Sequence, residues 1–397
     1  MKPLQGIRIA DFTVHAAGPF CTHMLSQLGA ECIKIESALR PDIFRKPHTV
    51  YGRKGPASFD QVASNKLSVR LNLKKPRGVD LARRLVGLSD VAAESFRSGV
   101  MDRLDLGYDA LKAVRPDIVM VSVSSSGQTG PDSHFAGYAP LFGAWGGLGY
   151  LTGYGDGPPV EMRHVMDHSV GLNAALATIA ALHRRRRTGE GTHVDVAARE
   201  VASSLIGEAM MAVAAGARLG RMGNDDYRRA PHGLYATDVP DRWLSIAVGA
   251  EAEWLAFLSV IGRPELARDP RFATPEARHA ERAALDAIVA EWSARQNAEA
   301  AATALQAAGV PAHVSWNTGD LVRDPHLRAR GAIVEVCEDD ERRRAAVGFP
   351  ARFSGCDDIG IVRGTPRLGE HEEYVYGELL GLGRREYEAL VEEEVIH

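Results

Sequence analysis

One stretch of the sequence places three ionisable side chains directly ahead of an alanine-rich run. His164, Asp167 and His168 form the pattern H-x-x-D-H, which differs by one carboxylate from the H-x-x-E-H zinc motif. On a helix this spacing would put both imidazoles on one face, where they could bind a metal ion. A catalytic zinc site also needs a third ligand and a base, and aspartate is one methylene shorter than glutamate. We therefore keep a zinc hydrolase using His164 and His168 as a remote alternative only, and predict no metal site.

Asp167 permits two interpretations from the local sequence. The apolar periodicity predicts a helix over residues 169–187, so Asp167 could cap its N-terminus by accepting N–H groups of the first turn. Alternatively, a carboxylate at the positive end of a buried helix could act as a covalent nucleophile. The local sequence leaves both interpretations open.

The predicted helix is apolar on nearly every side and is therefore expected to be buried. Its large apolar residues are Val170, Leu172, Leu176, Ile179 and Leu182. The arginines at residues 184–187 complement the helix dipole, and Gly189 is expected to end the helix.

The first third of the chain alternates short β-branched runs with stretches of helical spacing. The predicted strands are GIRIADF, ECIKIES, SVRLNL, DVAAES and DIVMVSVS. This alternation indicates an α/β fold with a parallel sheet, whose ligands gather at the carboxyl ends of the strands. The turn after the first strand contains Gly18 but not the G-x-G-x-x-G fingerprint, so NAD is not predicted.

A chain of 397 residues is longer than one core usually supports, so we expect two domains. Residues 1–224 are interpreted as a large domain with a linker, residues 225–325 as a small α+β domain, and residues 326–397 as a return to the large domain. The segment GLYATDVPDRWLSIAVG in the second part is typical of a β-hairpin closed by a Pro-Asp turn.

The composition excludes several classes of protein. A net charge of −4 gives no global reason to expect nucleic acid or an anionic membrane as partner. No apolar run approaches the roughly 20 residues that a membrane helix needs, and the N-terminus has no signal-peptide character. Four widely spaced cysteines indicate buried thiols in a reducing compartment. We therefore expect a cytoplasmic protein.

Many segments together resemble the class III CoA-transferases, the family of formyl-CoA transferase and carnitine CoA-transferase, which shares its superfamily with α-methylacyl-CoA racemase. The resemblance covers nearly the whole chain, in the order DFTVHAAGPFCTHMLSQLGAECIKIES, NKLSVRLNLKKPRG, SDVAAESFRSGVMDRLDLGYDALKAVRPDIV, GQTGP, DGPPV, AALHRRRRTGEGTHVDVA, DPRFAT, LQAAGVPA, DPHLRARG and LGEH. It implies a large Rossmann-like domain, a small α+β domain and an interlocked homodimer. A heteromer with a homologous subunit stays open.

The resemblance also implies the chemistry. Asp167 matches the family's nucleophile, which lies just before the helix leading into R-x-x-T-G-x-G. Its carboxylate would attack an acyl-CoA thioester and pass through an aspartyl anhydride to an aspartyl-CoA thioester. Coenzyme A enters as a thioester substrate, so no tightly bound cofactor is expected. Oxyanion donors are sought in the glycine-rich backbone and at residues 169–171, on the assumption that the helix begins there.

Positions that match CoA contacts of the family supply cations and apolar surface. Lys74, Arg103 and Arg97 are expected at the CoA phosphates. The remaining positions are Leu71, Phe96 and Leu104 around the adenine, His15 and Ala16 near the thioester, and Tyr138.

Departures from the family bear on the substrate. Formyl-CoA transferase has glutamine in place of Ala16 and asparagine in place of Ser95, so formate and oxalate are not expected. Racemases of the superfamily place a histidine where this chain has Tyr138, which makes a 2-methylacyl-CoA racemase the alternative function. Similar transferases act on dicarboxylates such as succinate. Arg163, His164 and His168 flank Asp167, and one of them is expected to hold a second carboxylate, with succinyl-CoA as donor.

Overall fold

The computed structural model describes residues 1–46, 57–337, 343–356 and 358–397, with Ala57, Arg163 and His164 described by their backbone only. The chain forms two compact units. The first comprises Met1–Gly149, Glu161–Arg218 and Pro325–His397, and the second comprises Tyr150–Val160 and Leu219–Asp324. The short segment Tyr150–Val160, which lies within the range 1–224 assigned from the sequence to the large domain, clusters with the second unit.

Six parallel strands form the sheet of the first unit in the order β3-β2-β1-β4-β5-β6. They are β1 (Arg8–Asp11), β2 (Glu31–Glu36), β3 (Leu67–Arg70), β4 (Val91–Glu94), β5 (Val119–Ser124) and β6 (Thr192–Ala197). The predicted α/β class is confirmed. Strand order runs outward in opposite directions from β1 and β4, so the sheet has its topological switch point between them, where doubly wound folds bind ligands.

The other strands form two small antiparallel sheets. The second unit contains β7 (His232–Ala236), β8 (Trp243–Ala247) and β9 (Ala312–Val314), paired in that order. Strands β7 and β8 form the predicted hairpin, closed at Pro240 and Asp241, where Asp241 adopts φ +57°. The first unit has one more pair, β10 (Ile333–Cys337) and β11 (Arg343–Val347).

Helices flank the strands along the chain. They are α1 (Ala17–Gln27), α2 (Ala57–Ala63), α3 (Pro76–Gly87), α4 (Val100–Arg103), α5 (Tyr108–Val114), α6 (Ala139–Trp145), α7 (Leu148–Leu151), α8 (Arg163–Thr188), α9 (Ala198–Ser204), α10 (Gly207–Ala214), α11 (Glu251–Ile261), α12 (Pro275–Ala280), α13 (Arg282–Ser293), α14 (Ala298–Ala307), α15 (Thr318–Arg323), α16 (Pro325–Ala329) and α17 (Arg384–Glu392). A π-helical segment spans Glu373–Leu379.

The two faces of the six-stranded sheet bury two separate apolar clusters. Successive strand residues point to opposite faces, so Ile9 packs in the cluster of α1 and α8 whereas Ala10 packs in the cluster of α3 and α17. Helices α1 and α8 lie along each other. Their close approach requires a glycine, because a Cβ on Gly171 would lie 2.7 Å from the Ala17 carbonyl oxygen.

Helix α8 begins earlier than predicted. Its N-cap is Met162 and its first residue is Arg163, so the predicted start at residue 169 is wrong. Met166, Val170 and Ala174 are fully buried at a spacing of four residues, so the buried stripe continues through the ionisable cluster. The polar side chains of that cluster interrupt the apolar periodicity, so the sequence pattern does not reveal this stripe.

Only one face of α8 is buried within this chain. Leu172, Leu176 and Ile179 are exposed at 46%, 68% and 36%, so the expectation of burial on every side is wrong for the isolated chain. Over Val165–Thr188 the helix is long and apolar enough to span a membrane by length and composition, and 44% of that apolar window is buried inside the protein. The prediction that no apolar run reaches the length of a membrane helix is therefore wrong for α8. A helix in the core of a protein can have the same length and composition.

The C-terminal end of α8 forms ion pairs at the amino ends of β4 and β5. Arg185 donates to Asp117, which precedes β5, and at 2.8 Å to Asp90, which precedes β4. Gly189 ends the helix in the left-handed conformation at φ +74°. The arginine run and the glycine stop thus act structurally.

Candidate active site

A cavity of about 790 Å³ lies in the first unit, where β1, β4 and β5 end. The loop after β1 contributes residues 14–18, the loop after β4 contributes residues 95–98, and residues 123–125 lie at the end of β5. Such volumes are typical of sites for small molecules and cofactors. The cavity is therefore at the switch point that the strand order defines.

Asp167 lines this cavity from the second turn of α8. The N-capping interpretation is wrong because Met162, five residues earlier, occupies the cap position. The proposed oxyanion donors at residues 169–171 are also wrong in their reasoning, since only the first four N–H groups of a helix lack partners within it. The N–H groups that lack partners within this helix belong instead to residues 162–165.

His168 lines the same cavity beside Asp167. Its Nε2 lies 3.1 Å from Nε2 of Gln61 on α2, and its ring meets Phe20 edge to face at 4.4 Å. The side chains of Arg163 and His164, the other two residues expected at a second carboxylate, lie outside the described residues.

Five of the expected CoA contacts line the cavity together with Asp167. His15 and Ala16 lie in the loop after β1, and Phe96 and Arg97 in the loop after β4. Tyr138, 68% exposed, is the N-cap residue of α6. Their roles toward CoA remain predictions.

The other four expected contacts lie outside the cavity lining. Leu71 is buried directly after β3 and belongs with Phe96 and Leu104 to the apolar cluster on the α3 face of the sheet. Lys74 and Arg103 are exposed, in the turn before α3 and at the end of α4 respectively. The fold thus gathers the three apolar positions in one cluster and leaves both cations at the surface, where a phosphate could reach them.

Two loops that form the cavity are joined by a serine. Ser95 Oγ accepts a hydrogen bond from the Val14 N–H at 2.9 Å and lies 3.0 Å from the Val14 carbonyl oxygen, to which it donates. A Cβ on Gly18 would lie 2.7 Å from Cβ of Ser95, so the close contact requires glycine. His15, which lies between Val14 and Gly18 in the loop after β1, has φ +67°, a conformation that L-residues rarely adopt.

Buried charges lie behind the loop after β1. Asp11, Lys34 and Lys66 are each fully buried, and Lys66 Nζ lies 2.9 Å from Asp11 Oδ2. Burial alone would raise the pKa of Asp11, but the attraction of Lys66 and Lys34 overcomes it and lowers that pKa to about 2. Asp11 is therefore an anion at neutral pH.

A second buried carboxyl lies at the end of β4. Burial raises the pKa of Glu94 to about 7, with Asp195 and Asp102 acting in the same direction against a hydrogen bond from Ser122. Glu94 Oε2 accepts the Phe96 N–H at 2.7 Å. A titratable group thus supports the loop that carries Phe96 and Arg97.

Sequence reasoning missed several residues of the cavity. Gln61 lies on α2, Ser98 lies in the loop after β4, and Ser124 and Ser125 lie at the end of β5. Hydroxyl groups that follow buried strands in a doubly wound pattern were the available signal, because such positions converge at one edge of the sheet. The sequence around Gln61 contains no comparable feature that predicts its position in the cavity wall.

The described part of the chain holds no cluster of three or more His, Cys, Asp or Glu side chains arranged to bind a metal ion. His168 is paired with Gln61 and Phe20 instead, and the side chain of His164 falls outside that part.

Comparison with known proteins gives a consistent result. The sequence profile described as CoA-transferase family III matches residues 4–372. A succinyl-CoA–D-citramalate CoA-transferase of Chloroflexus aurantiacus is 33% identical over 100% of this chain and 98% of its own length. The beta subunit of a succinyl-CoA–L-malate CoA-transferase from the same organism is 30% identical over 96% of this chain and 95% of its own.

Among solved structures, a CAIB/BAIF family protein from Brucella suis superposes with a TM-score of 0.86 at 32% identity, covering 95% of this chain and 99% of its own. Sequence and fold therefore agree over almost the full length, and the cavity at the switch point belongs to an enzyme that handles CoA thioesters. The chain is a member of CoA-transferase family III.

Proposed function

We propose that this enzyme moves CoA from an acyl-CoA donor to a carboxylic acid through two covalent intermediates on Asp167. A carboxylate oxygen of Asp167 attacks the thioester carbonyl, the C–S bond breaks, and a mixed anhydride and CoA thiolate result. The thiolate then attacks the aspartyl carbonyl of the anhydride, which releases the donor acid and leaves Asp167 as a CoA thioester. The acceptor acid repeats both steps in reverse, so no other reactant is consumed.

The observation that carries this proposal is the position of Asp167 in the wall of the 790 Å³ cavity. Apolar and aromatic side chains, among them Phe44, Phe142 and Val170, form part of the wall of this cavity. Such walls restrict water, which would otherwise hydrolyse an anhydride or a thioester.

Succinyl-CoA is the donor we favour, because the names of two full-length relatives contain it. We infer a dicarboxylate as the acid on the same basis. Within the cavity, His168 and its partner Gln61 are described groups that could hold the second carboxylate, and Arg163 and His164 stay candidates from the sequence.

We further propose that two copies of this chain form the enzyme. The exposed face of α8 and the helix α10 carry Leu176, Met210, Met211 and Val213, each more than half exposed. Large apolar side chains that stay exposed on the helices of one chain favour an interface with another chain. A heteromer is the alternative, since one relative is named as a beta subunit. Of the four cysteines expected to be buried, Cys21 and Cys32 are buried, whereas Cys337 is exposed and Cys356 is partly exposed. All four are free thiols, from which we infer a reducing, cytoplasmic location.

An assay of CoA transfer tests the proposed activity. Succinyl-CoA is incubated with a panel of monocarboxylates and dicarboxylates, and new acyl-CoA products are separated by chromatography. We expect transfer with the wild type and none with Asp167→Asn, which removes the nucleophile but keeps its size. Loss of the α-hydrogen of a 2-methylacyl-CoA to deuterated solvent, without any transfer, would establish the racemase instead.

Within this assay, His168→Gln tests the expected carboxylate contact. We expect it to raise the KM for a dicarboxylate about tenfold more than the KM for a monocarboxylate of similar length, because one charge-assisted hydrogen bond is lost. Equal changes in both KM values would remove His168 from substrate recognition.

A further inference from the structure

Two fully buried lysines contact the backbone at opposite ends of one cavity segment. Lys34 Nζ donates to the carbonyl oxygen of Thr13 at 2.8 Å, and Lys66 Nζ donates to the carbonyl oxygen of Pro19 at 3.0 Å. The segment between them, residues 13–19, contributes residues 14–18 to the wall of the cavity that contains Asp167.

Each lysine also binds an aspartate that holds neighbouring structure. Lys66 donates to Asp11 at 2.9 Å, and Asp11 Oδ1 accepts the Thr13 N–H at 2.9 Å. Lys34 lies 3.3 Å from Asp42, whose Oδ1 accepts the Phe44 N–H. Phe44 lines the same cavity. The two ammonium groups therefore connect two pieces of cavity wall, residues 14–18 and Phe44, with the end of β1.

The segment is also in contact with the helix that carries Asp167. The Ala17 carbonyl oxygen lies so close to α8 that a Cβ on Gly171 would approach it to 2.7 Å. A displacement of residues 13–19 would therefore change the position of Asp167, four residues and about one turn earlier in α8.

Four buried charges are not needed for a stable core. Removing ions from water is costly, and replacing a buried ion pair with apolar residues of similar size is often neutral for stability or favourable. What apolar residues could not supply here are donors to the carbonyl oxygens of Thr13 and Pro19. The arrangement suits a device that fixes backbone at one place.

We propose that Lys34 and Lys66 are positioning residues of the transferase, which hold both ends of residues 13–19 and thereby fix the wall that faces Asp167. This inference rests on the proposed function for its catalytic consequence only. Its structural part concerns the backbone of residues 13–19 and is independent of any substrate.

Hydrogen–deuterium exchange and single-turnover kinetics together test the proposal. The variants are Lys34→Met and the charge-balanced pair Asp11→Asn with Lys66→Met. We expect faster exchange in peptides that cover residues 13–20, and a rate of aspartyl-CoA formation from succinyl-CoA at least about tenfold lower, since a misplaced group can cost about a hundredfold. The KM for succinyl-CoA should change much less than kcat. Asp42→Asn, which keeps the cap on Phe44, is the milder variant and should show the same changes at smaller size should the others fail to fold.

Arg278→Met is the matched control. Arg278 is a buried cation of the second unit that likewise donates to a carbonyl oxygen, that of Phe272 at 3.0 Å, and to the carboxylate of Glu251. We expect it to lower the unfolding temperature without slowing the reaction.

Two results would overturn the proposal. One is unchanged exchange over residues 13–20 in the folded variants, and the other is altered exchange with kcat still within about twofold of the wild type. A wild type that forms no adduct with any acyl-CoA would count against the proposed function, and exchange alone would then decide whether the lysines hold this segment.

Discussion

Gly171 lies at a close contact between α8, which carries Asp167, and the start of α1. A Cβ at this position would lie 2.7 Å from the Ala17 carbonyl oxygen and 3.0 Å from the Phe20 side chain. We expect Gly171→Ala to push α1 and α8 apart, to lower the free energy of unfolding by about 1–3 kcal/mol and to reduce kcat. Thermal unfolding and the transfer assay measure the two effects.

Gly87→Ala is the control for this substitution. Gly87 ends α3, and nothing lies within 4 Å of the Cβ that alanine would add. It should leave stability and activity unchanged or slightly improve stability, because alanine favours a helix over glycine. Equal behaviour of the two variants would show that the contact at Gly171 is not restrictive.

Glu94 makes stability depend on pH near neutrality. Its folded pKa of about 7 is raised above the ordinary 4.5 by burial, so between these values the unfolded chain releases a proton that the folded protein keeps. Stability therefore falls as pH rises from about 4.5 to about 7. We expect Glu94→Gln to gain up to about 3 kcal/mol relative to the wild type from pH 5 to pH 8.

Denaturant unfolding at several pH values measures this difference. A gap between the two proteins that stays constant from pH 5 to pH 8 would mean that Glu94 ionises normally. Gln at this position keeps an acceptor for the Phe96 N–H, so the comparison isolates the charge.

The prediction that Asp167 is the nucleophile rests only on the order of the segments around it. Local reasoning left a capping role open, because capping and nucleophilic aspartates have the same neighbours in sequence. Lys34 and Lys66 gave no local signal at all, since Lys66 and Asp11 are 55 residues apart and meet only in the folded sheet. A buried charge is visible in the fold and not in the spacing.

Among the elements, α8 runs from the cavity, which Asp167 lines, to the amino ends of β4 and β5. Arg185 is held by Asp90 and Asp117, and its side chain is 13% exposed. We expect Arg185→Met to lower the free energy of unfolding by about 1–3 kcal/mol, because two carboxylates lose a charged donor. Arg186→Met, at the exposed next residue, should have little effect.

Thermal unfolding of both variants checks this prediction. A fall in stability that is equal for the two arginines would mean that the run acts through its total charge on the helix dipole and not through the ion pairs of Arg185.

The start of α8 shows what a sequence pattern misses at the scale of an element. The apolar run predicts a helix that starts at residue 169, whereas the helix begins at Arg163. Buried Met166 and Val170 share one face with residues on the later turns, and the polar residues between them occupy other faces. A polar cluster inside a helix interrupts the apolar pattern without ending the helix.

At the scale of the whole molecule, the exposed apolar face of α8 predicts a dimer. Leu176 is 68% exposed at its centre. We expect the wild type to elute with the mass of two chains in light scattering, and Leu176→Glu to give monomers or to lose solubility, because a charge would be buried without a partner. Leu255→Glu, at an exposed leucine of α11 in the second unit, is the control and should stay dimeric.

A monomeric wild type at micromolar concentration would contradict this account of the α8 face.

The parallel α/β sheet could be predicted from the sequence because each strand is a short apolar run with its own helix. The uncovered face of α8 could not, since a helix that is apolar on all sides looks the same whether its neighbours come from one chain or two.

The most direct test of the central claim is the mass of the protein after reaction with an acyl-CoA. Wild type and Asp167→Ala are incubated separately with succinyl-CoA and acetyl-CoA, treated with hydroxylamine or borohydride, digested, and mapped by mass spectrometry. We predict a modification on Asp167 of the wild type with at least one donor and none in the variant. Turnover of CoA between acids without any trapped group on Asp167, or with a variant as active as the wild type, would contradict a covalent mechanism at this residue.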